Sequence, residues 1–339
     1  MPRAAGSKIP RRVAITVADL GEFGLIAAIA ALLPASSAGG VGIGDDAAVV
    51  CAPDGRVVAT TDLLVEGRHF RRDWSGAADV GVKAAAQNLA DVAAMGASPT
   101  ALLLGFAVPG DLPVVWVEDL VRGLAGECAR AGASVVGGDV SGAGSVMLAI
   151  TALGDLGGRD PVTRSGARPG DRLAVAGRLG RSAAGLALLE AGLAGAPGAA
   201  GAPAPAGEFA GLVASHRRPQ PPYACGPEAA VRGATSMIDI SDGLVADLGH
   251  VAEASGVRLD IETARLPADP ELRAAAAALG ADWLRWELTG GEDHALAATF
   301  SPETDLPGHW VVIGSAREGH GVTVDSRPAD GLRGWEHFT

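Results

Sequence analysis

Aspartates stand beside short apolar runs at four places in this chain, and this repetition constrains the fold more than any other feature of the sequence. Apolar runs of this length predict buried strands. The acids are therefore expected where strands begin or end, and carboxylates placed there commonly hold a cation. The four segments are Gly42–Val50 with Asp45 and Asp46, Val57–Asp62, Val135–Asp139, and Met237–Gly243 with Asp239 and Asp242.

The chain is long enough for two domains, and its charge argues against one class of partner. Its 339 residues are 48% hydrophobic, which gives each domain a sizeable core. The net charge of -12, without a basic stripe, argues against a surface that binds nucleic acid. An anionic substrate would therefore need metal ions between itself and the protein.

The cysteines and the hydropathy pattern predict a cytoplasmic protein. Cys51, Cys128 and Cys225 are far apart and form neither a disulfide framework nor a CxxC metal site, which indicates a reducing compartment. No apolar run approaches the roughly 18 residues of a membrane span. We therefore expect no association with a membrane.

Changes in composition divide the chain. Residues 1–19 are predicted to be a disordered N-terminal extension, followed by an amphipathic helix from Glu22 to Leu33. Basic residues before this helix imitate a signal peptide, but acidic residues interrupt the pattern. A cluster of Gly and Pro residues after Leu156 separates an N-terminal domain, 20–156, from a C-terminal domain, 157–339. Residues 192–207 are nearly all Ala, Gly and Pro and are predicted to form a flexible loop.

In the N-terminal domain, the predicted strand Val57–Thr61 ends at a loop that begins with Asp62. The predicted helix Ala77–Met95 places Asp91 on a mostly apolar face. The predicted strand Ser134–Val136 leads into Gly137, Gly138 and Asp139. Because strands and helices alternate without βαβ regularity, we expect an α+β sheet.

In the C-terminal domain, the strands Arg172–Ala176 and Ala295–Phe300 are predicted from continuous apolar runs. A helix is expected over Leu244–Ala254, with Ser241 or Asp242 as its N-cap.

Oxygen ligands without a Cys or His cluster predict Mg²⁺ in preference to zinc or iron. Magnesium indicates a phosphate substrate, yet the chain contains no GxxxxGK[ST] motif. Several aspartates that converge on several Mg²⁺ ions could instead hold a polyphosphate. Each signal also has a simpler interpretation: Asp91 could be solvated, Gly290–Asp293 could be only a tight turn, and His216 could be structural.

These segments, taken with further motifs, resemble the thiamine-monophosphate kinase family. This family belongs to the superfamily of aminoimidazole ribonucleotide synthetase and selenophosphate synthetase. The motifs that carry the resemblance are GEFGLI (21–26), GIGDDAA (42–48), TTDLLVEGRHF (60–70), NLADVAAMGA (88–97), GGD (137–139), TRSGARPGD (163–171), IDISDGL (238–244), GGEDH (290–294) and WEHF (335–338).

The resemblance implies a two-domain, PurM-like α+β fold. Its N-terminal mixed α/β domains would form a β-barrel in a homodimer, and its C-terminal domain would be α+β. The activity implied is ATP-dependent phosphorylation of thiamine monophosphate to thiamine diphosphate, the last step in the biosynthesis of that cofactor. The alternatives are a superfamily enzyme with another phosphate acceptor, and a non-catalytic module that binds divalent cations.

The resemblance also assigns roles to residues of this chain. Asp62, Asp139 and Arg164 would be catalytic. ATP would contact Gly138, Asp139, Arg164 and Ser241, and thiamine monophosphate would contact His69, Glu292 and Trp335. Several Mg²⁺ ions would bind Asp46, Thr60, Thr61, Asp62, Asp91, Asp139, Asp239 and Asp242.

The implied mechanism is direct in-line transfer of the γ-phosphoryl group of ATP. The acceptor phosphate has a second pKa near 6, so it is mostly ionised at neutral pH and needs no catalytic base. The sequence departs from the commonest family pattern at His294, where Tyr is usual, in the 192–207 insertion and in the N-terminal extension.

Overall fold

The computed structural model describes residues 15–34, 43, 47–193 and 207–335 of the chain. Asp45, Asp46, most of the predicted N-terminal extension and most of the 192–207 segment lie outside these residues. Within the described part, no helix has both the length and the apolar character that a membrane crossing requires.

The N-terminal half contains a four-stranded sheet with strand order β1-β4-β2-β3. β4 pairs antiparallel with β1 and with β2. β2 pairs parallel with β3, and α3 connects these two strands. The elements are α1 (Val17–Leu32), β1 (Val58–Val65), α2 (Ala77–Ala94), β2 (Ser98–Val108), α3 (Val114–Ala131), β3 (Ser134–Gly142) and β4 (Met147–Asp155).

The C-terminal half contains a seven-stranded sheet with strand order β11-β10-β7-β9-β5-β8-β6. Its pairs are antiparallel, except for β7 with β10. The elements are β5 (Arg172–Ala176), α4 (Arg181–Glu190), α5 (Ala210–Arg217), α6 (Cys225–Val231), β6 (Ser236–Ile240), α7 (Leu244–Ser255), β7 (Arg258–Ile261), a 3₁₀ helix (Thr263–Arg265), α8 (Pro270–Leu279), α9 (Trp283–Thr289), β8 (Ala295–Phe300), β9 (Trp310–Arg317), β10 (Gly321–Val324) and β11 (Arg327–Pro328).

Two glycines bring α2 unusually close to α3. A Cβ atom on Gly81 would lie 2.0 Å from the Leu120 carbonyl oxygen, and one on Gly123 would lie 2.1 Å from the Ala78 carbonyl oxygen. Only glycine permits this approach of two helix backbones. The contact fixes α2, the helix that carries Asp91, against the rest of the N-terminal half.

The two halves share an apolar core. One buried cluster contains Leu102 and Ile150 of the four-stranded sheet together with Ala174, Met237 and Phe300 of the seven-stranded sheet. A second cluster covers the other face of the larger sheet and includes residues of α7. The ends of β1 and β6 are therefore held in fixed positions near each other.

Several element boundaries differ from the prediction. β1 continues through Asp62 to Val65 because its apolar residues pair with Met147–Ile150 of β4. β3 likewise continues through Asp139 to Gly142, pairing with β2. Helix α1 is interrupted at Gly21, whose φ of 67° is not helical, so a short turn from Val17 precedes a longer part that agrees with the predicted start at Glu22. Its first turn is closed by Thr16 and Asp19, whose side chains each accept a hydrogen bond from the other's backbone N–H.

Candidate active site

A cavity of about 1280 Å³ lies between the two halves of the chain. Small-molecule sites usually measure roughly 300–1,000 Å³, so this cavity has room for two ligands. Its walls come from β1 and α2 of the N-terminal half, and from the end of β6, the start of α4 and the segment after α9. The predicted site residues that line it are Thr60, Thr61, Asp62, His69, Asp91, Arg164, Asp239, Ser241, Asp242, Glu292 and Trp335.

Acids from both halves of the chain line the cavity. Asp62 comes from β1 and Asp91 from α2, while Asp239 and Asp242 come from the end of β6. The Thr60 hydroxyl donates a hydrogen bond of 2.9 Å to Asp91 Oδ2. Asp91 therefore lies against β1 and is not a solvated acid on a helix surface.

The charges of these acids act on one another. Burial, and then the negative charges of Asp239 and Asp62, raise the pKa of Asp91 to about 7. His294 Nδ1 lies 3.3 Å from Asp239 Oδ2. Carboxylates that repel one another are the donors that a hard cation such as Mg²⁺ would stabilise. Phosphate oxygens would have to complete the coordination, because among the described residues no three of these carboxylates lie close enough to surround an ion by themselves.

The turn between β6 and α7 differs from the predicted capping arrangement. The N-cap of α7 is Gly243, and it makes no side-chain capping bond. The backbone N–H groups of Ser241, Asp242 and Gly243 instead donate to Asp247 Oδ2, over 3.1, 3.1 and 3.0 Å. The prediction that Ser241 or Asp242 caps α7 is therefore wrong, because Asp247 binds these groups from inside the helix.

The segment 290–294 is more than a tight turn. Glu292 and His294 adopt left-handed backbone angles, with φ of 63° and 51°. Their N–H groups donate to the carbonyl oxygens of Ser241 and Ile240 at 2.8 and 2.9 Å. Asp293 Oδ2 accepts a hydrogen bond from the N–H of Gly180. Left-handed non-glycine residues held in this way are typical of functional sites.

His69 and Trp335 also line the cavity, and the Trp335 backbone N–H donates a 3.0 Å hydrogen bond to the Asp242 carbonyl oxygen. His69 Nδ1 accepts a 3.0 Å hydrogen bond from the Val65 N–H, so the neutral ring carries its proton on Nε2. The Trp335 side chain is 54% exposed, and its ring lies 5.8 Å from the Arg68 guanidinium carbon. Trp335 therefore does not pack into the core.

Three predicted residues are not placed in the cavity wall. Asp46 lies outside the described residues. Gly138 and Asp139 are exposed on β3, an edge strand on the side of the sheet opposite β1. In the pairing of β3 with β2, Gly138 lies beside Leu104 and Asp139 lies beside Gly105. Because three strand spacings separate β3 from β1, Asp139 is about 14 Å from β1 across the sheet.

Two residues at the site, His216 and Lys83, were not predicted from the sequence. His216 was predicted to be surface or structural, yet it is buried and lines the cavity. Lys83 lies behind Glu292, and its ammonium group is 2.9 Å from Glu292 Oε2. The one signal in the sequence was that Lys83 is one of only two lysines. Contacts between residues so far apart along the chain leave no periodic pattern.

A group of possible metal ligands outside the cavity has a simpler explanation. The side chains of Cys225, Glu228 and His309 lie close enough together to surround an ion. However, Glu228 already forms ion pairs with Arg232, at 2.8 Å, and with His309, at 2.7 Å. These contacts account for the group as surface ion pairs.

The N-terminal half contains an AIR synthase related domain. The family model described as "AIR synthase related protein, N-terminal domain" matches residues 44–156, which include β1, α2 and the whole four-stranded sheet.

Comparison with whole proteins identifies the family more narrowly. Thiamine-monophosphate kinase from Mycobacterium tuberculosis is 48% identical over 325 residues, covering 95% of this chain and 93% of that protein. The enzyme from Corynebacterium glutamicum is 42% identical over 329 residues, covering 95% of each. A solved structure described as AaThiL complexed with AMPPCP and TMP has a TM-score of 0.76 and 34% identity, covering 98% of this chain and 100% of that one. The chain belongs to the thiamine-monophosphate kinase family.

Proposed function

We propose that this protein transfers the γ-phosphoryl group of ATP to thiamine monophosphate and releases thiamine diphosphate and ADP. The observation that carries the proposal is the cavity between the halves, which is lined both by the four acids and by His69, Glu292 and Trp335. The relatives are thiamine-monophosphate kinases over nearly their whole length. A related structure is complexed with AMPPCP and TMP.

We propose that Asp62, Asp91, Asp239 and Asp242 hold Mg²⁺, with Asp46 as a further ligand. Asp139 is not proposed at this site, because it lies about 14 Å from β1 across the sheet. When bound, Mg²⁺ neutralises the charge that two phosphate-bearing substrates bring together. Burial and the negative charges of Asp239 and Asp62 raise the pKa of Asp91. A bound cation would relieve this repulsion, and for this reason we expect Mg²⁺ beside these acids.

The remaining residues bind and orient the substrates. Arg164 lies in the cavity wall and would add positive charge beside the phosphates. Trp335 presents an exposed ring that can stack on the thiamine rings. The acceptor phosphate is already ionised near neutral pH, so the transfer needs no general base. We therefore propose one in-line step without a phosphorylated enzyme.

We also propose that two copies associate through the exposed face of the four-stranded sheet. On this face Leu63 of β1 is 53% exposed and Met147 of β4 is 38% exposed. The register continues the same face across the sheet through Ala149, Gly105 and Asp139. A face of small and apolar residues that none of the described residues covers is typical of a surface buried in an oligomer.

The dimer proposal is tested by light scattering after size-exclusion chromatography. The wild-type protein is expected at about twice the chain mass, and Met147→Glu at the mass of one chain. Val115→Glu is the matched control, because Val115 is similarly exposed but lies on α3. A monomeric wild type, or a dimer that survives Met147→Glu, would contradict the proposed interface.

A cytoplasmic location is also proposed. Cys51, Cys128 and Cys225 are all free thiols. Free thiols persist in a reducing compartment, whereas secreted proteins usually pair them.

The proposed activity is tested with purified protein, ATP, Mg²⁺ and thiamine monophosphate. Chromatography should show one thiamine diphosphate formed for each ADP, and thiamine or an unrelated phosphate monoester should give no matching product. Chelation of Mg²⁺ should abolish the reaction. Failure to form thiamine diphosphate would refute the proposal, while radiolabelled phosphoprotein trapped from γ-labelled ATP would refute the single-step transfer.

A further inference from the structure

Lys83 is a buried cation that joins the two halves of the chain behind the cavity. It lies in the interior of α2, and only 2% of it is exposed. Its Nζ donates one hydrogen bond of 2.9 Å to Glu292 Oε2 and another of 3.1 Å to the His69 carbonyl oxygen. Glu292 belongs to the C-terminal half and His69 to the N-terminal half. One ammonium group therefore contacts two residues proposed to bind the substrate.

We propose that Lys83 is a positioning residue for the thiamine moiety, and that it acts by fixing the Glu292 carboxylate relative to His69. The inference rests on the proposed function, and it assigns to Lys83 a role in recognising the acceptor substrate. Lys83 does not belong to the residues that line the cavity. Its effect must therefore pass through the two residues that it holds.

The charge arrangement suits a cationic ligand. Burial acts to raise the pKa of Glu292, but the positive charge of Lys83 and its hydrogen bond outweigh burial and hold this pKa below its ordinary value. Glu292 is therefore an ionised carboxylate in the cavity wall. The thiazolium ring of thiamine carries a permanent positive charge, which an ionised carboxylate attracts.

His216 supports the same carboxylate without supplying a charge. Its Nδ1 lies 3.4 Å from Glu292 Oε2 and 3.1 Å from the Ser182 hydroxyl. Burial, and then the nearby charge of Lys83, lower the pKa of His216 to about 3, so its ring is neutral. Lys83 and His216 both approach Oε2, which leaves Oε1 as the oxygen available to a ligand.

The choice of lysine at this position is informative. Lys8 and Lys83 are the only lysines among the 27 Lys and Arg residues of the chain. An ammonium group is a compact donor on a flexible stem, whereas a guanidinium group is a wider planar fork. The enclosed space between the His69 carbonyl and Glu292 requires the compact donor. This requirement explains a lysine in a chain that otherwise uses arginine.

The decisive variant is Lys83→Met, which keeps the side-chain length and removes the charge. We expect the KM for thiamine monophosphate to rise about tenfold to a hundredfold, since a hydrogen bond to a charged group is lost. The KM for ATP should stay within about twofold. Titration calorimetry with thiamine monophosphate should show the same loss of affinity. If Lys83→Met does not fold, Lys83→Gln carries the same expectation.

A double-mutant cycle separates positioning from general structure. In the Glu292→Gln background, Lys83→Met should raise the KM for thiamine monophosphate by less than about threefold, because the group through which Lys83 acts is already altered. The matched control is Glu127→Gln. Glu127 is also buried and also contacts the other half, through Tyr223 at 2.6 Å. This control should leave both KM values unchanged.

Two results would overturn the inference. One is a Lys83→Met enzyme with wild-type affinity for thiamine monophosphate, and the other is an equal loss with and without Glu292. These results differ from failure of the proposed function. In that case the wild-type protein itself would form no thiamine diphosphate.

Discussion

The two sheets of this protein are covered to different extents. In the seven-stranded sheet, every residue of β6 and β8 is buried, because one face packs on the shared core and the other on α7. In the four-stranded sheet, burial alternates along β1 and β4. Among the described residues, only the face towards the helices is covered. The larger sheet is thus packed on both faces, whereas the smaller sheet has an exposed face that the proposed dimer would bury.

The acids of the cavity come from both sheets and therefore differ in how firmly they are held. The end of β6 places Asp239 and Asp242 on the fully covered sheet, and these acids can move little. Asp62 lies on β1, which among the described residues pairs with β4 alone. We therefore expect the N-terminal part of the site to depend on the proposed dimer more than the C-terminal part does.

The largest expected effect tests the difference in cover directly. Phe300 of β8 is completely buried, and Leu63 of β1 is 53% exposed. Phe300→Ala should lower the free energy of unfolding by about 3–5 kcal/mol, since it leaves a cavity in the core. Leu63→Ala should lower it by less than about 1 kcal/mol in the monomer. Both values come from denaturant unfolding monitored by circular dichroism.

Equal losses in the free energy of unfolding for the two substitutions at low protein concentration would contradict the difference in cover. A loss for Leu63→Ala that grows with protein concentration would support it, since association then adds to the stability of the folded chain.

A smaller effect concerns His216, on α5 in the C-terminal half. Its pKa is lowered from 6.5 to about 3 by burial. Between these values the unfolded chain binds a proton that the folded chain does not bind. Stability therefore falls as pH drops below 6.5, by up to about 1.4 kcal/mol per pH unit. His216→Gln removes this proton, so the variant should gain roughly 2 kcal/mol relative to wild type between pH 6.5 and pH 5.

The measurement for His216 is a series of denaturant titrations of both proteins across this pH range. Asp247, Glu287 and Asp293 have pKa values raised to about 7 by burial. Their contributions run in the opposite direction, but they are present in both proteins and cancel in the difference. Parallel pH profiles of the wild type and the variant would show that the ring of His216 titrates normally.

The sequence predicted most accurately the elements that are covered on both sides. Arg172–Ala176 and Ala295–Phe300 are observed with the predicted bounds, because continuous apolar runs mark strands buried on two faces. The end of β3 was missed because Gly137, Gly138 and Asp139 resemble a loop, and the end of β1 was missed because Asp62 interrupts its apolar run. Only pairing with β4 and β2 makes these residues strand.

The site was predictable where a motif carried it, and not where it depends on tertiary contacts. Asp62, Asp91, Asp239 and Asp242 line one cavity as the acidic pattern suggested. The contact between Lys83 and Glu292 joins residues 209 positions apart, and no local pattern records it. The role of Asp247 was also missed, because a carboxylate inside a helix offers no sign that it binds the preceding turn.

The proposed site requires that acids from the two halves act as one cluster. A double-mutant cycle of Asp62 and Asp239 tests this requirement directly. The measurement is kcat/KM for Asp62→Asn, Asp239→Asn and the double variant, with folding checked by circular dichroism. Each single variant should lose at least about 100-fold, and the double variant at most about tenfold more than the worse single one, since residues that act as a unit are not additive. Losses that multiply in full, or wild-type activity in either single variant, would contradict the account.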